Sequence, residues 1–199
     1  MKKKQLEMTL ERLEGFSEPS FIREQYATPA SVAAEILFLA ALRNDLGTVC
    51  DLGCGTGVLA IGAALMGARA VGVEIDKDAL ATARKNAENL GVDVDFIRAD
   101  VRKLELEGID TVIMNPPFGA QKASEGDRAF LSTAQRIARN IYTLHNRGSH
   151  DFIKKYIFPN VVQEVYCIPF PLKRCFEFHS KDIKVIEVEL YRITCESMC

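Results

Sequence analysis

Thr48-Val-Cys-Asp-Leu-Gly-Cys-Gly-Thr-Gly57 is the stretch on which the fold turns. Thr48 to Leu52 reads as a short apolar strand. It runs straight into three alternate glycines, Gly53, Gly55 and Gly57, and Val58 to Met66 then reads as a helix. A strand, a glycine turn and a helix form the opening unit of an α/β sheet whose ligand lies over the turn. The pattern continues downstream with a strand over Arg69 to Ile75, a helix over Lys77 to Leu90 closed by Gly91, and strands over Val94 to Ala99 and Ile109 to Met114. Strands alternating with helices pair in parallel through right-handed crossovers, so the expectation is a doubly wound sheet. Ligands of such sheets bind at the carboxyl ends of the strands. Every polar residue of interest sits there: the glycine turn after the first strand, Glu74 and Asp76 after the second, Asp100 with Val101 after the third, and Asn115 after the fourth.

Outside this region the signals are looser. Leu6, Leu10 and Leu13 recur at helical spacing, so Lys2 to Glu14 reads as an amphipathic helix closed by Gly15 and lying against the domain. Phe16 to Thr28 is polar with single aromatics, and Thr28 followed by Pro29 supplies a cap and first turn for a helix to Arg43. After a polar loop come a helix over Arg128 to Arg139, a strand over Asn140 to His145 and a helix over Asp151 to Phe158. Two late strands, Val161 to Ile168 and Lys184 to Ile193, are separated by a Pro169-Phe170-Pro171 break. With 199 residues, 48% of them hydrophobic, the chain suffices for one packed domain, 1–199, with 1–28 as a covering segment and 119–130 as a substrate loop.

Composition narrows the classes. No apolar run approaches the roughly 20 residues that span a bilayer, and the basic start lacks the apolar core of a signal peptide, so a soluble cytoplasmic protein is expected. Of the six cysteines, none forms a C-x-x-C pair and the three histidines are scattered, so no metal site is expected. Cys195 and Cys199 read as exposed thiols in a frayed tail. The net charge of −2 argues against gripping nucleic acid by overall electrostatics. Between Gln121 and Lys155, however, Lys122, Arg128, Arg136, Arg139, Arg147, Lys154 and Lys155 face only Glu125, Asp127 and Asp151, a bias suited to phosphate contacts.

Asn115-Pro116-Pro117-Phe118 ends the fourth strand with a rigid polar mouth. Each proline fixes its own φ and lacks an N–H, and the residue before a proline is forced out of the helical region. The strand therefore stops in an extended turn with outward carbonyls. One amide, one or two open carbonyls and a stacking ring make a socket for a planar group bearing an NH2, such as an adenine edge. A bare proline turn is the simpler reading of Pro-Pro alone.

The glycine turn poses a second choice. A dinucleotide site also has such a turn with an acid about 20 residues on, but the position that wants the third glycine of that fingerprint is Val58. A ligand without a pyrophosphate fits better, and S-adenosylmethionine is such a ligand. Glu74, rather than the helix cap Asp76, would accept the ribose diol and Asp100 the adenine amine. Asp51 would either orient the loop amides or meet the cationic methionine end.

These residues carry a resemblance. Asp51 to Gly57 with Asn115 to Phe118 looks like the class I S-adenosylmethionine-dependent methyltransferases of exocyclic amines. Glu24 to Thr28 as E-Q-Y-A-T, Val112 to Gly119 as V-I-M-N-P-P-F-G, and Phe178-His179 resemble the methyltransferase-like protein five family. The resemblance implies a seven-stranded, mostly parallel Rossmann-like sheet with helices on both faces and an antiparallel last strand. It also implies adenine-N6 methylation of RNA, most simply ribosomal RNA, and, in eukaryotic members, a small zinc-binding activator subunit. By the same resemblance Gln25, Tyr26 and Thr28 close over the methionine end of the cofactor. His179 is read as an ordinary histidine with a possible RNA role. The rival readings are a methyltransferase of protein glutamine or DNA, a non-catalytic binding partner with this fold, and a dehydrogenase.

Overall fold

The computed structural model describes residues 1–16, 27–117, 125–173 and 183–195. Gln25, Tyr26, Phe118, Lys122, Cys175, His179 and Cys199 lie outside these residues. Within them, helices α1 (Lys3–Leu10), α2 (Ala30–Leu42), α3 (Val58–Leu65), α4 (Lys77–Leu90), α5 (Glu125–Ile137) and α6 (His150–Ile157) surround seven strands. These are β1 (Thr48–Leu52), β2 (Arg69–Glu74), β3 (Asp95–Arg98), β4 (Ile109–Met114), β5 (Ala138–Asn146), β6 (Val161–Lys173) and β7 (Ile183–Thr194). They form one sheet in the order β3-β2-β1-β4-β5-β7-β6. The strands from β1 to β5 pair in parallel, and β7 runs antiparallel to both its neighbours. This is the expected mixed sheet with a reversed last strand.

The middle of the sheet is buried on both faces, which is why its first strands read as unbroken apolar runs rather than as alternations. Alternate residues of β1 serve opposite cores: Val49 packs with α1 to α4, and Cys50 and Leu52 pack with α5 and α6. α1 is shorter than its leucine spacing suggests. It ends at Leu10, with Leu6 and Leu10 buried, and Leu13 packs against the core only partly. A buried cluster ties the α2–β1 turn to the far side of the sheet, where Asp45 Oδ2 accepts from the Tyr142 hydroxyl at 2.7 Å and from Arg192 Nε at 2.9 Å.

Two expectations are corrected. Pro169-Phe170-Pro171 does not break the sheet, because β6 runs through it, pairing Pro169 with Glu187 and Pro171 with Val185. β6 is the edge strand, and residues two apart direct their N–H positions the same way, so both prolines lack their N–H on the side that has no neighbouring strand. Cys195 is not an exposed thiol. It is buried in the core under α5 and α6, its N–H donates to the Arg139 carbonyl at 2.7 Å, and burial pushes its thiol up to about 11. Cys50 and Cys54 are buried as expected of apolar fillers, whereas Cys167 on the edge strand is exposed.

Candidate active site at the strand ends

A cleft opens over the glycine turn, lined by Thr28, Asp51, Gly53, Gly55, Thr56 and Asn115, with Phe16 among its remaining walls. The turn bends as only glycine does cheaply, with Gly57 at φ 88° in the left-handed region. A side chain at Gly53 would strike the Phe130 ring and one at Gly55 the Phe16 ring, so the loop leaves bare backbone between two aromatics.

Asp51 takes the orienting role, at the start of α3. Gly57 stands at the α3 N-cap with no side chain to offer, and Asp51 Oδ2 accepts instead from the Ala60 N–H at 2.9 Å. Its other oxygen, Oδ1, is buried without a hydrogen-bond partner. Burial, reinforced by the charge of Glu74 and offset in part by the Ala60 N–H, pushes the Asp51 carboxyl up to about 8.

Glu74 ends β2 and turns back onto the loop. Its Oε2 accepts from Gly55 N–H at 3.0 Å, and Oε1 accepts from Ile75 at 2.8 Å and Asp76 at 3.0 Å. Three of the roughly four acceptor positions of a carboxylate are thus used inside the chain, so clasping a diol requires Glu74 to release a backbone contact. Asp76 caps α4 by accepting from Asp78 N–H, as expected. Asp100 is engaged within the chain. Its oxygens are taken by the Arg102 N–H and guanidinium, which hold the carboxyl down at about 2, and it caps a short 3-10 turn. Neither Glu74 nor Asp100 lines the cleft in this conformation. The Val101 carbonyl is bound by the Thr133 hydroxyl at 2.9 Å.

Asn115 stands where β4 ends. Its Nδ2 donates to Thr28 Oγ1 at 3.1 Å, fixing the amide, and its Oδ1 is buried with no partner. Pro116 behind it is buried and Pro117 half-buried. Among the described residues three buried side-chain oxygens lack a hydrogen-bond partner: Asp51 Oδ1, Thr56 Oγ1 and Asn115 Oδ1. All three residues line this one cleft. Unpaired buried acceptors cost about 1–3 kcal/mol each, so their convergence marks a place built for a polar ligand.

The sequence profile of the methyltransferase small domain family matches residues 31–145. A zebrafish protein named rRNA N(6)-adenosine-methyltransferase METTL5 is 38% identical over 98% of this chain and 99% of its own. The Drosophila protein of that name is 36% identical over 96% of each chain. The chain belongs to the METTL5 family. A candidate RNA methyltransferase of Pyrococcus horikoshii, 35% identical, superposes with a TM-score of 0.90 over 99% of both chains. The cleft brings together five of the expected positions: Thr28, Asp51, Gly53, Gly55 and Asn115. Phe16, Thr56 and Phe130 carry no sequence signal of their own. Phe16 is a lone aromatic in a polar stretch, and Phe130 is one apolar residue of a helix.

Proposed function

We propose that this protein transfers a methyl group from S-adenosylmethionine to the exocyclic N6 amine of adenine in RNA, most simply ribosomal RNA, the substrate class named for its METTL5 relatives. The observation that carries the reading is the unpaired, buried Asn115 Oδ1 at the mouth of a cleft floored by a bare glycine turn.

The residues fit the cofactor. Gly53 and Gly55 present backbone free of side chains beside two aromatic rings, Thr56 Oγ1 has hydrogen-bonding capacity to spare, and Asp51 Oδ1 suits the cationic methionine end. Glu74 is one strand over for the ribose. Asp100 and Val101 are kept at the adenine end as part of the proposal, as are Gln25 and Tyr26 over the methionine. The bound cofactor supplies a methyl group made electrophilic by the sulfonium.

The chain's task is to make a poor nucleophile attack it. Adenine N6 is planar because its lone pair is delocalised into the ring. Asn115 Oδ1 and the Pro116 carbonyl accept its two hydrogens, which turns the nitrogen toward a tetrahedral shape with the lone pair aimed across the cleft. Thr28 keeps the amide from flipping, since its hydroxyl holds Nδ2 at 3.1 Å. Pro117 fixes the turn and Phe118 stacks on the base, worth about 1–3 kcal/mol. The alkylated amine is acidic and loses its proton to water, so positioning supplies the rate and no side-chain base is needed. Arg128, Lys154 and Lys155, all exposed, are proposed as phosphate contacts, whereas Arg136 is committed to the Leu104 carbonyl and Arg147 to Glu187.

The zinc-binding activator subunit of the eukaryotic relatives belongs to the proposal too, seated on the sheet edge where Phe158, Val161 and Val165 are exposed on and beside β6. Among the described residues no helix is long and apolar enough to cross a membrane. The proposed place of the reaction is the cytoplasm, where ribosomes reside. Incubating the protein with labelled S-adenosylmethionine and unmodified ribosomal RNA, then analysing the nucleosides by mass, tests the reading. N6-methyladenosine is the expected product, and label in protein glutamine or in another nucleoside overturns it.

A further inference from the structure

We infer that Phe16 is a cofactor-binding residue and that Asn86, on α4, is the positioning residue that holds it over the glycine turn. The inference rests on the cofactor assignment above and adds a contact that none of the sequence motifs contains.

Asn86 is only 2% exposed, and every polar atom of its side chain is used. Its Oδ1 accepts from the Glu14 N–H at 2.9 Å, and its Nδ2 donates to the Glu14 carbonyl at 3.0 Å. The same Nδ2 donates to the Thr56 carbonyl, also at 3.0 Å, between Gly55 and Gly57. One buried amide therefore fastens the segment after α1 and the glycine turn to the same point on α4. Next to it, Lys85 pairs with the Glu14 carboxylate at 2.7 Å, though this exposed pair contributes little.

Two residues beyond the fastened Glu14, the Phe16 ring lies on Gly55. A Cβ at residue 55 would come within 2.7 Å of Phe16 Cζ. Phe16 belongs to neither apolar core; it is half-buried and forms a wall of the cleft that also holds the three unpaired oxygens. A large apolar ring placed there gains little from the protein itself. Its packing surface is completed by whatever occupies the bare backbone of the loop, and its effect is to keep water from the methyl donor. The Asn86 clamp makes that wall rigid, because the turn that seats the cofactor and the ring that covers it cannot shift independently.

Calorimetric titration of the full chain with S-adenosylmethionine and S-adenosylhomocysteine tests this, using wild type, Phe16→Ala, Phe16→Leu, Asn86→Ala and the double variant. Phe16→Ala is expected to weaken both ligands about tenfold, the order set by removing one aromatic wall. Its ligand-free melting temperature should be unchanged, and Phe16→Leu should recover most of the affinity. Asn86→Ala should weaken binding through the ring, so the double variant binds no worse than Phe16→Ala. If Asn86→Ala does not fold, the Phe16 pair decides. Wild-type affinity in Phe16→Ala, or a loss that follows a fall in ligand-free stability, overturns the inference. Failure of the wild type to bind either ligand removes the cofactor assignment, and the inference with it.

Discussion

Replacing Asn115 by alanine separates a residue that works from one that merely packs. In the ligand-free protein the side chain makes one hydrogen bond, Nδ2 to Thr28 Oγ1, and buries an unpaired Oδ1. Losing the bond costs about 0.5–1.5 kcal/mol, while removing a buried unpaired oxygen returns about 1–3 kcal/mol. The two nearly cancel, with a tilt toward stabilisation. Since about 1 kcal/mol moves the midpoint of a domain this size by roughly 2–4 °C, Asn115→Ala should melt within about 4 °C of wild type or slightly above it. Activity should behave in the opposite way. The amide oxygen is the group that reshapes the nucleophile, and loss of one preorganised hydrogen-bonding group in an active site costs about 10²–10³ in kcat. Calorimetric melting and single-turnover methyl transfer at saturating cofactor give the two numbers. A midpoint lowered by well over 4 °C, with activity falling only in step with the folded fraction, would refute the reasoning and make Asn115 a structural residue.

Other perturbations give distinct readouts. Asp51 sits at about 8 through burial, so the ligand-free protein holds a proton there that the unfolded chain releases near 4, and that stabilising contribution, complete below about 4, drains as pH rises from there to about 8. A cation beside Asp51 Oδ1 draws that proton off, so cofactor binding should tighten from pH 6 to pH 8 with proton release detectable by calorimetry in two buffers, and Asp51→Asn should flatten the profile. His145 is shifted the other way, lowered to about 4 by burial despite the opposing charge of Glu189. The unfolded chain takes up this proton first, so stability present above pH 6.5 drains as pH falls toward 4, by roughly 2 kcal/mol at pH 5. Melting curves of His145→Gln and Asp51→Asn separate the two slopes where they overlap, and equal acid sensitivity of His145→Gln and wild type would contradict the first. Gly57→Ala forces a side chain into φ 88° with Ala83, Ile61 and Phe96 at 3.1–3.2 Å, and should cost on the order of 2 kcal/mol, read as a midpoint lowered by several degrees. An unchanged midpoint would mean that the turn relaxes.

The strand ends were legible because their chemistry is local. Glycines at alternate positions, an amide before two prolines and a capping Asp76 each declare a backbone geometry within a few residues, and the alternation of strands and helices orders them around one sheet. What the sequence hid depends on partners far along the chain. Pro169 and Pro171 look like a break until β6 proves to be an edge, a fact fixed by the strand order and not by the prolines. The Asn86 clamp joins residues 72 positions apart, and nothing in the sequence near Asn86 or Phe16 suggests it. Asp51 could be read as orienting backbone amides or as meeting the ligand; in the structure one of its oxygens caps α3 and the other is buried without a partner. Glu74 and Asp100 stand where they were expected, yet their acceptors are turned onto the chain's own donors, a matter of side-chain rotation that spacing does not record.

The central claim is that Asn115 Oδ1 and the Pro116 carbonyl share the two hydrogens of an adenine amine. A crystal structure of the protein with S-adenosylhomocysteine and a short adenine-containing RNA tests it most directly. The account expects N6 of a flipped base within hydrogen-bonding distance of both oxygens, facing the cofactor sulfur. A base bound elsewhere, or an Asn115 oxygen still without a partner while the base is in place, would contradict it.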